Sequence, residues 1–95
     1  MKKIFKYELP VDDTVIVDMP KGARPLHVDV QRGVPYIWAL VDPQHESVKH
    51  LFRVAGTGHQ IADKQSENYL GTFFLLFGAP VKEQLVFHVF DVGEY

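Results

Sequence analysis

With 95 residues, 46% hydrophobic and 13% aromatic, the chain is too apolar for disorder and sized for a single domain, 1–95, whose thin core favours self-association. Ten Lys and Arg against 12 Asp and Glu leave a net charge of −2, which argues against nucleic-acid binding through many phosphates. The absence of Cys excludes disulfide frameworks, thiolate nucleophiles and Cys-based zinc sites, and suits a reducing compartment.

Short runs of Val, Ile, Phe and Tyr recur about every ten residues between Pro and Gly punctuation, the pattern of an all-β chain. Lys3 to Leu9 alternates Phe5, Tyr7 and Leu9 against Lys6 and Glu8 and is closed by Pro10, as in a half-buried strand. Lys2, Lys3 and Lys6 suit a solvated edge, where lysines block unwanted pairing. Asp12 to Thr14 makes a turn, Val15 to Val17 a strand, and Met19 to Ala23 a tight turn built on Pro20 and Gly22. Leu26, Val28 and Val30 give the cleanest alternation in the chain, and Gln31 to Val34 connects it to a partner strand from Tyr36 to Val41, with Gly33 supplying the positive φ.

After Asp42-Pro43, a polar loop leads to a strand from Val48 to about Ala55. Gly56 to Asn68 then runs without a strand pattern, long for a plain connection, with a short helical turn expected near 61–67. Tyr69 to Phe77 and Leu85 to Val92 are apolar on both faces, as in central or interface strands, and the connection between them covers 78–84. The expected architecture is a compact antiparallel barrel or sandwich of six to seven strands. No run reaches the roughly 18 apolar residues of a membrane span, and the N-terminus lacks a signal-peptide core, so no membrane association and a cytoplasmic location are expected.

The strand running into Gly56-Thr57-Gly58-His59 is the first candidate site, because a glycine-flanked turn gathers backbone N–H groups and a titratable ring. It matches neither the phosphate-binding P-loop nor the dinucleotide fingerprint. Arg53 would add a bidentate anion contact, and Trp38 or Tyr69 a stacking wall, while core packing alone also accounts for the aromatics. The five histidines show no helical His-x-x-x-His spacing, so no metal site is expected. His88, between Phe87 and Phe90, reads as a hydrogen-bonded core or interface histidine. Ser47 and Ser66 lack an elbow-like setting, and Asp12, Asp13 and Asp42 sit in turns, so neither hydrolase nor acid–base machinery is evident and no cofactor is implied.

The order Lys3-x-x-Lys6-Tyr7-x-Leu9, Met19-Pro20-Lys21-Gly22-Ala23, Ile37 to Pro43, Phe52-Arg53-Val54-x-Gly56-Thr57-Gly58-His59-x-Ile61, Tyr69-Leu70-Gly71-Thr72-Phe73 and Val86 to Phe90 resembles a family of short uncharacterised proteins of tailed phages and prophages. Phe74 to Leu85 departs from that pattern by being longer and more apolar. The resemblance implies an accessory role in the cytoplasm of an infected or lysogenic bacterium, with no established reaction. Two non-enzymatic readings follow. One is a homo-oligomer that sequesters a small signalling nucleotide or similar anion on Arg53, Gly56, Thr57, Gly58 and His59 beside Trp38 or Tyr69. The other is an inhibitor or assembly factor that meets a host or phage protein through Phe73, Leu75, Phe77, Phe87 and Phe90.

Overall fold

Alternation along each strand decides which side is dry, and β4 (Val34–Val41) shows it cleanly: Pro35, Ile37, Ala39 and Val41 are buried, while Val34, Tyr36, Trp38 and Leu40 face outward. The computed structural model describes residues 1–80 and 82–95. Its other strands are β1 (Lys3–Glu8), β2 (Thr14–Pro20), β3 (Arg24–Gln31), β5 (Ser47–Gly56), β6 (Tyr69–Phe77) and β7 (Glu83–Glu94). A 3-10 turn at Asp63–Gln65 falls inside the expected 61–67 window. Val81, within the connection expected over 78–84, lies outside the described residues. That connection is shorter than expected, because β7 already begins at Glu83.

The strands form two antiparallel sheets, β1-β4-β3 and β2-β5-β7-β6, that pack as a sandwich rather than a closed barrel. Leu9, Met19, Ile37, Val41, Phe52, Phe73 and Val89 fill the space between them and are almost wholly withdrawn from water. At about 25 cal/mol per Å² of apolar surface, this dry layer is the main force joining the sheets. The β3–β4 hairpin closes tightly at Arg32-Gly33, both with positive φ (53° and 78°), between paired Gln31 and Val34. Leu26, expected inward by alternation, is exposed because the β3–β4 register shifts between Pro25 and His27 and leaves it unpaired.

A second register shift shapes the four-stranded sheet. Leu51 pairs with Gly93 but Phe52 with Asp91, so Val92 is extra, and Gly93 takes φ 107° to allow it. The shift brings the Asp91 carboxylate to the buried His50 ring, with Nε2 and Oδ1 2.6 Å apart, while that ring stacks on Phe52 at 4.8 Å. Since β5 and β6 both pair antiparallel with β7, they run parallel, and residues 57–68 must lead from the level of Phe87, where β5 ends, back to that of Phe90, where β6 begins. They do so across its outward face, with the 3-10 turn against β7 and Ala55 covered although its side chain points away from the core.

β3 and β6 are edge strands of different sheets and meet at one corner, where Gly71 makes the approach. A Cβ on Gly71 would lie 2.6 Å from Val28 Cγ1, and Val28 is buried. Gly71→Ala is therefore expected to cost about 1–3 kcal/mol by overpacking. In urea unfolding, the Val28→Ala/Gly71→Ala double variant should lose less than the sum of the two single variants.

Candidate functional site

β5 stops at Gly56, which pairs with Phe87, whereas β7 continues back to Glu83 with only β6 beside it. The four residues Glu83 to Val86 thus have β6 on one side and, among the described residues, no strand on the other. The chain turns away at Gly56: His59 N–H donates to the Gly56 carbonyl (3.1 Å), and Gly58 adopts φ 90°. The His59 ring then folds over Gly56, where a Cβ would meet Cε1 at 3.1 Å. Between this turn and the open edge of β7 lies a cleft of about 420 Å³, lined by Gly56, Thr57, His59, Gln84, Leu85, Val86 and Phe87. A smaller cavity of about 200 Å³ shares Gly56, His59 and Phe87 with it and adds Asp12, Asp13 and Val54.

On the outward face a polar chain leaves the cleft. Thr57 Oγ1 lies 2.8 Å from His88 Nε2, and Thr72 Oγ1 lies 3.0 Å from His88 Nδ1. Tyr69 Oη is hydrogen-bonded to the same Thr72 hydroxyl. A neutral imidazole donates through one ring nitrogen and accepts through the other, and freely rotating hydroxyls suit either tautomer. His88 is therefore half-buried and hydrogen-bonded on both sides. Thr57 and Thr72 had given no sign of pairing with it, because they lie 31 and 16 residues away in sequence.

Residues 1–94 match the domain of unknown function DUF7352. The chain belongs to this family. No curated protein and no solved structure matches it.

In this DUF7352 domain the seven residues proposed from sequence as one ligand site are distributed over four places. Gly56, Thr57 and His59 line the cleft, and Gly58 shapes its turn. Arg53, expected to hold an anion, does not line it: Nη1 donates to the carbonyls of Asp13 (2.9 Å) and Val54 (2.5 Å), and Nη2 to that of Gln60 (2.9 Å). Its charge faces the Asp13 carboxylate at 3.6 Å. Trp38 cannot form a wall with Arg53, because it stands on the outward face of the other sheet, tilted against His27 and Tyr36. Tyr69 meets Phe90 edge-on and reaches the cleft only through the Thr72–His88–Thr57 chain.

The interface residues also need correction. Phe73 and Leu75 are 1% and 6% exposed and belong to the core, and Phe87 stacks on Phe73 at 5.4 Å. The surface is made by the opposite parity, Phe74 (53% exposed) and Leu76 (63%), together with Phe77 (47%) and Leu85 (38%) at the hairpin end. Phe77 was anticipated there; Phe90 is half-buried beneath Tyr69. A third cavity of about 590 Å³, lined by Lys6, Gln31, Arg32, Val34 and Tyr36, lies on the three-stranded sheet and was not foreseen. There Lys6 donates to Gln31 Oε1 (3.1 Å) and sits 4.5 Å from the Tyr36 ring centre.

Among the described residues no cluster of three or more His, Asp or Glu side chains has a metal-binding arrangement, and no helix is long and apolar enough to cross a membrane. Arg53 is a structural clamp in this geometry. Arg53→Ala should cost about 1–2 kcal/mol, since it strips a charged donor from three carbonyls, of which that of Val54 is part-buried. Arg53→Lys should recover only part of the loss, because one ammonium cannot reproduce the guanidinium fork. Denaturant unfolding of the two variants measures both.

Proposed function

We propose that this protein is a non-enzymatic binding module that captures an extended segment of another protein by strand addition along β7. The observation that supports this most directly is the length mismatch of the two strands, which leaves the β7 backbone open from Glu83 to Val86 above an apolar cleft. A segment laid there would continue the line of β5, taking main-chain hydrogen bonds from β7. Alternate side chains would point into the cleft against Leu85, Phe87 and the His59 ring, with Gln84, Thr57 and His59 offering polar contacts. An occupant with apolar residues at every second position fits this lining. Such a mode needs no catalytic group, and it suits an accessory protein of phage origin acting in the bacterial cytoplasm on a host or phage protein.

The sequestration of a nucleotide or similar small anion ranks second and moves to a different place. Among the described residues no Lys or Arg lines the cleft beside Gly56 to His59, and the Arg53 guanidinium is engaged with backbone. The cavity holding Lys6, Arg32 and Tyr36 is the feature that favours an anion with an aromatic ring. Glu8 and Asp29, both register partners of Tyr36, place two carboxylates near the same ring and weaken that attraction.

Selection from a yeast-displayed library of short peptides is the test. Binders should be extended sequences with alternating apolar residues, and adding one to ¹⁵N-labelled protein should shift the amides of Gln84, Leu85, Val86 and Thr57. Leu85→Lys should weaken binding at least tenfold, leaving the thermal unfolding temperature nearly unchanged. Shifts confined to Lys6, Arg32 and Tyr36 on addition of nucleotides, with no peptide binding at β7, would overturn the reading in favour of the anion site.

A further inference from the structure

Sheet edges show where a β protein guards itself. The sandwich has four edge strands, β1 and β3 in one sheet and β2 and β6 in the other. Three carry the usual protection: Lys3, Lys6 and Glu8 on β1, Asp18 and Pro20 on β2, and Arg24, Pro25 and Asp29 on β3. β6, Tyr69-Leu-Gly-Thr-Phe-Phe-Leu-Leu-Phe77, carries no charge and no proline. The core does not require this throughout, because Phe74, Leu76 and Phe77 are each about half exposed or more. Toward its start β6 is approached by β3 at Gly71 and Val28, whereas Phe74 to Phe77 extend past Phe87, the last β7 residue that β5 pairs. Among the described residues no strand is hydrogen-bonded to the outer edge of that stretch.

We infer that the Phe74 to Phe77 edge pairs with the same edge of a second copy, antiparallel about a two-fold axis, joining the two four-stranded sheets into one of eight strands. A two-fold contact opposes a strand to itself, so any charge on it meets a like charge near the axis. An uncharged strand with apolar residues on both faces avoids that repulsion and is the kind of sequence self-pairing requires. The same lack of charge gives it no electrostatic means of choosing a different partner. At about 200 Å² for a fully exposed large apolar side chain, Phe74, Leu76 and Phe77 hold on the order of 300 Å² per protomer. With the backbone strip between them, this places the contact below the ~800 Å² per partner of a standard interface. The dimer is accordingly one that dissociates on dilution. It leaves the opposite edge of the hairpin, along β7, free, so it does not depend on peptide capture there.

Sedimentation equilibrium of the full chain, from micromolar to millimolar concentration, is the first measurement. The apparent mass should rise toward twice the 10.9 kDa of the chain. Leu76→Lys and Leu76→Glu, at an exposed position, should each hold the protein at the monomer mass with unfolding temperatures close to the parent. An equimolar mixture of the two should restore the doubled mass, since opposite charges then meet across the axis. A parent that stays monomeric at millimolar concentration overturns the inference. So does a dimer that persists in both variants, or one abolished by Leu85→Lys on the other edge while Leu76→Lys leaves it intact.

Discussion

The end of β5 at Gly56 is the constraint on which the rest of the molecule depends. A strand beside β7 would ordinarily continue to pair, because an abandoned ladder leaves carbonyls without donors. Here two devices make the early stop tolerable. The missing Cβ at Gly56 lets the His59 ring settle against the backbone, with the turn held by the His59 N–H on the Gly56 carbonyl. Arg53 then donates to three carbonyls, those of Asp13, Val54 and Gln60, the first of which also accepts the Val54 N–H. The same guanidinium thereby ties the start of β2 to the start of the returning segment. The cleft, the open β7 edge and the projecting end of the hairpin all follow from where this clamp stops the strand.

The outward face of the four-stranded sheet shows how polarity is kept within an apolar surround. His88 lies in a run of Val and Phe, yet both its ring nitrogens meet threonine hydroxyls, one from the crossover turn and one from β6. Each group satisfies a neighbour, so the chain from Thr57 to Tyr69 avoids the cost of an unmade hydrogen bond while linking three segments. His50 on the inner face is a contrast. Its Nε2 is bonded to Asp91, but Nδ1 is buried without a hydrogen-bond partner among the described residues. The bulge at Val92 that brings Asp91 to the ring is therefore the principal compensation for burying that imidazole.

Much of the fold was legible because strand alternation and Pro or Gly punctuation are local. The hairpin at Arg32-Gly33, the long return from Gly56 and the 3-10 turn inside it are all written in nearby residues. What could not be read depends on contacts far apart in sequence. Leu26 lost its expected inward place to a bulge, and alternation cannot announce a bulge. On β6 every position from Phe73 to Phe77 is apolar, so parity has no polar residue to fix it, and Phe73 and Leu75, expected at an interface, face the core. Glycine spacing singles out Gly56, Thr57 and His59 as a group, and the three line one cleft. Arg53, expected to hold an anion, holds carbonyls, and a guanidinium beside such a turn has the same sequence appearance in either role.

That ambiguity at Arg53 bears on how small β domains build sites. In a chain of 95 residues the core is thin, and a cation near the surface is readily drawn into closing the fold. What such a domain can still offer a partner is backbone and apolar surface, and this one concentrates both on a single hairpin. The arrangement carries a physical cost, because exposed Phe and Leu on an unguarded edge invite indiscriminate pairing. Two features confine the hazard: the exposed stretch is only four residues, Phe74 to Phe77, and Lys82 and Glu83 stand at its turn. A short edge pairs weakly. The apolar hairpin end is thus not accounted for by the core, since Phe74 and Leu76 contribute little burial where they stand.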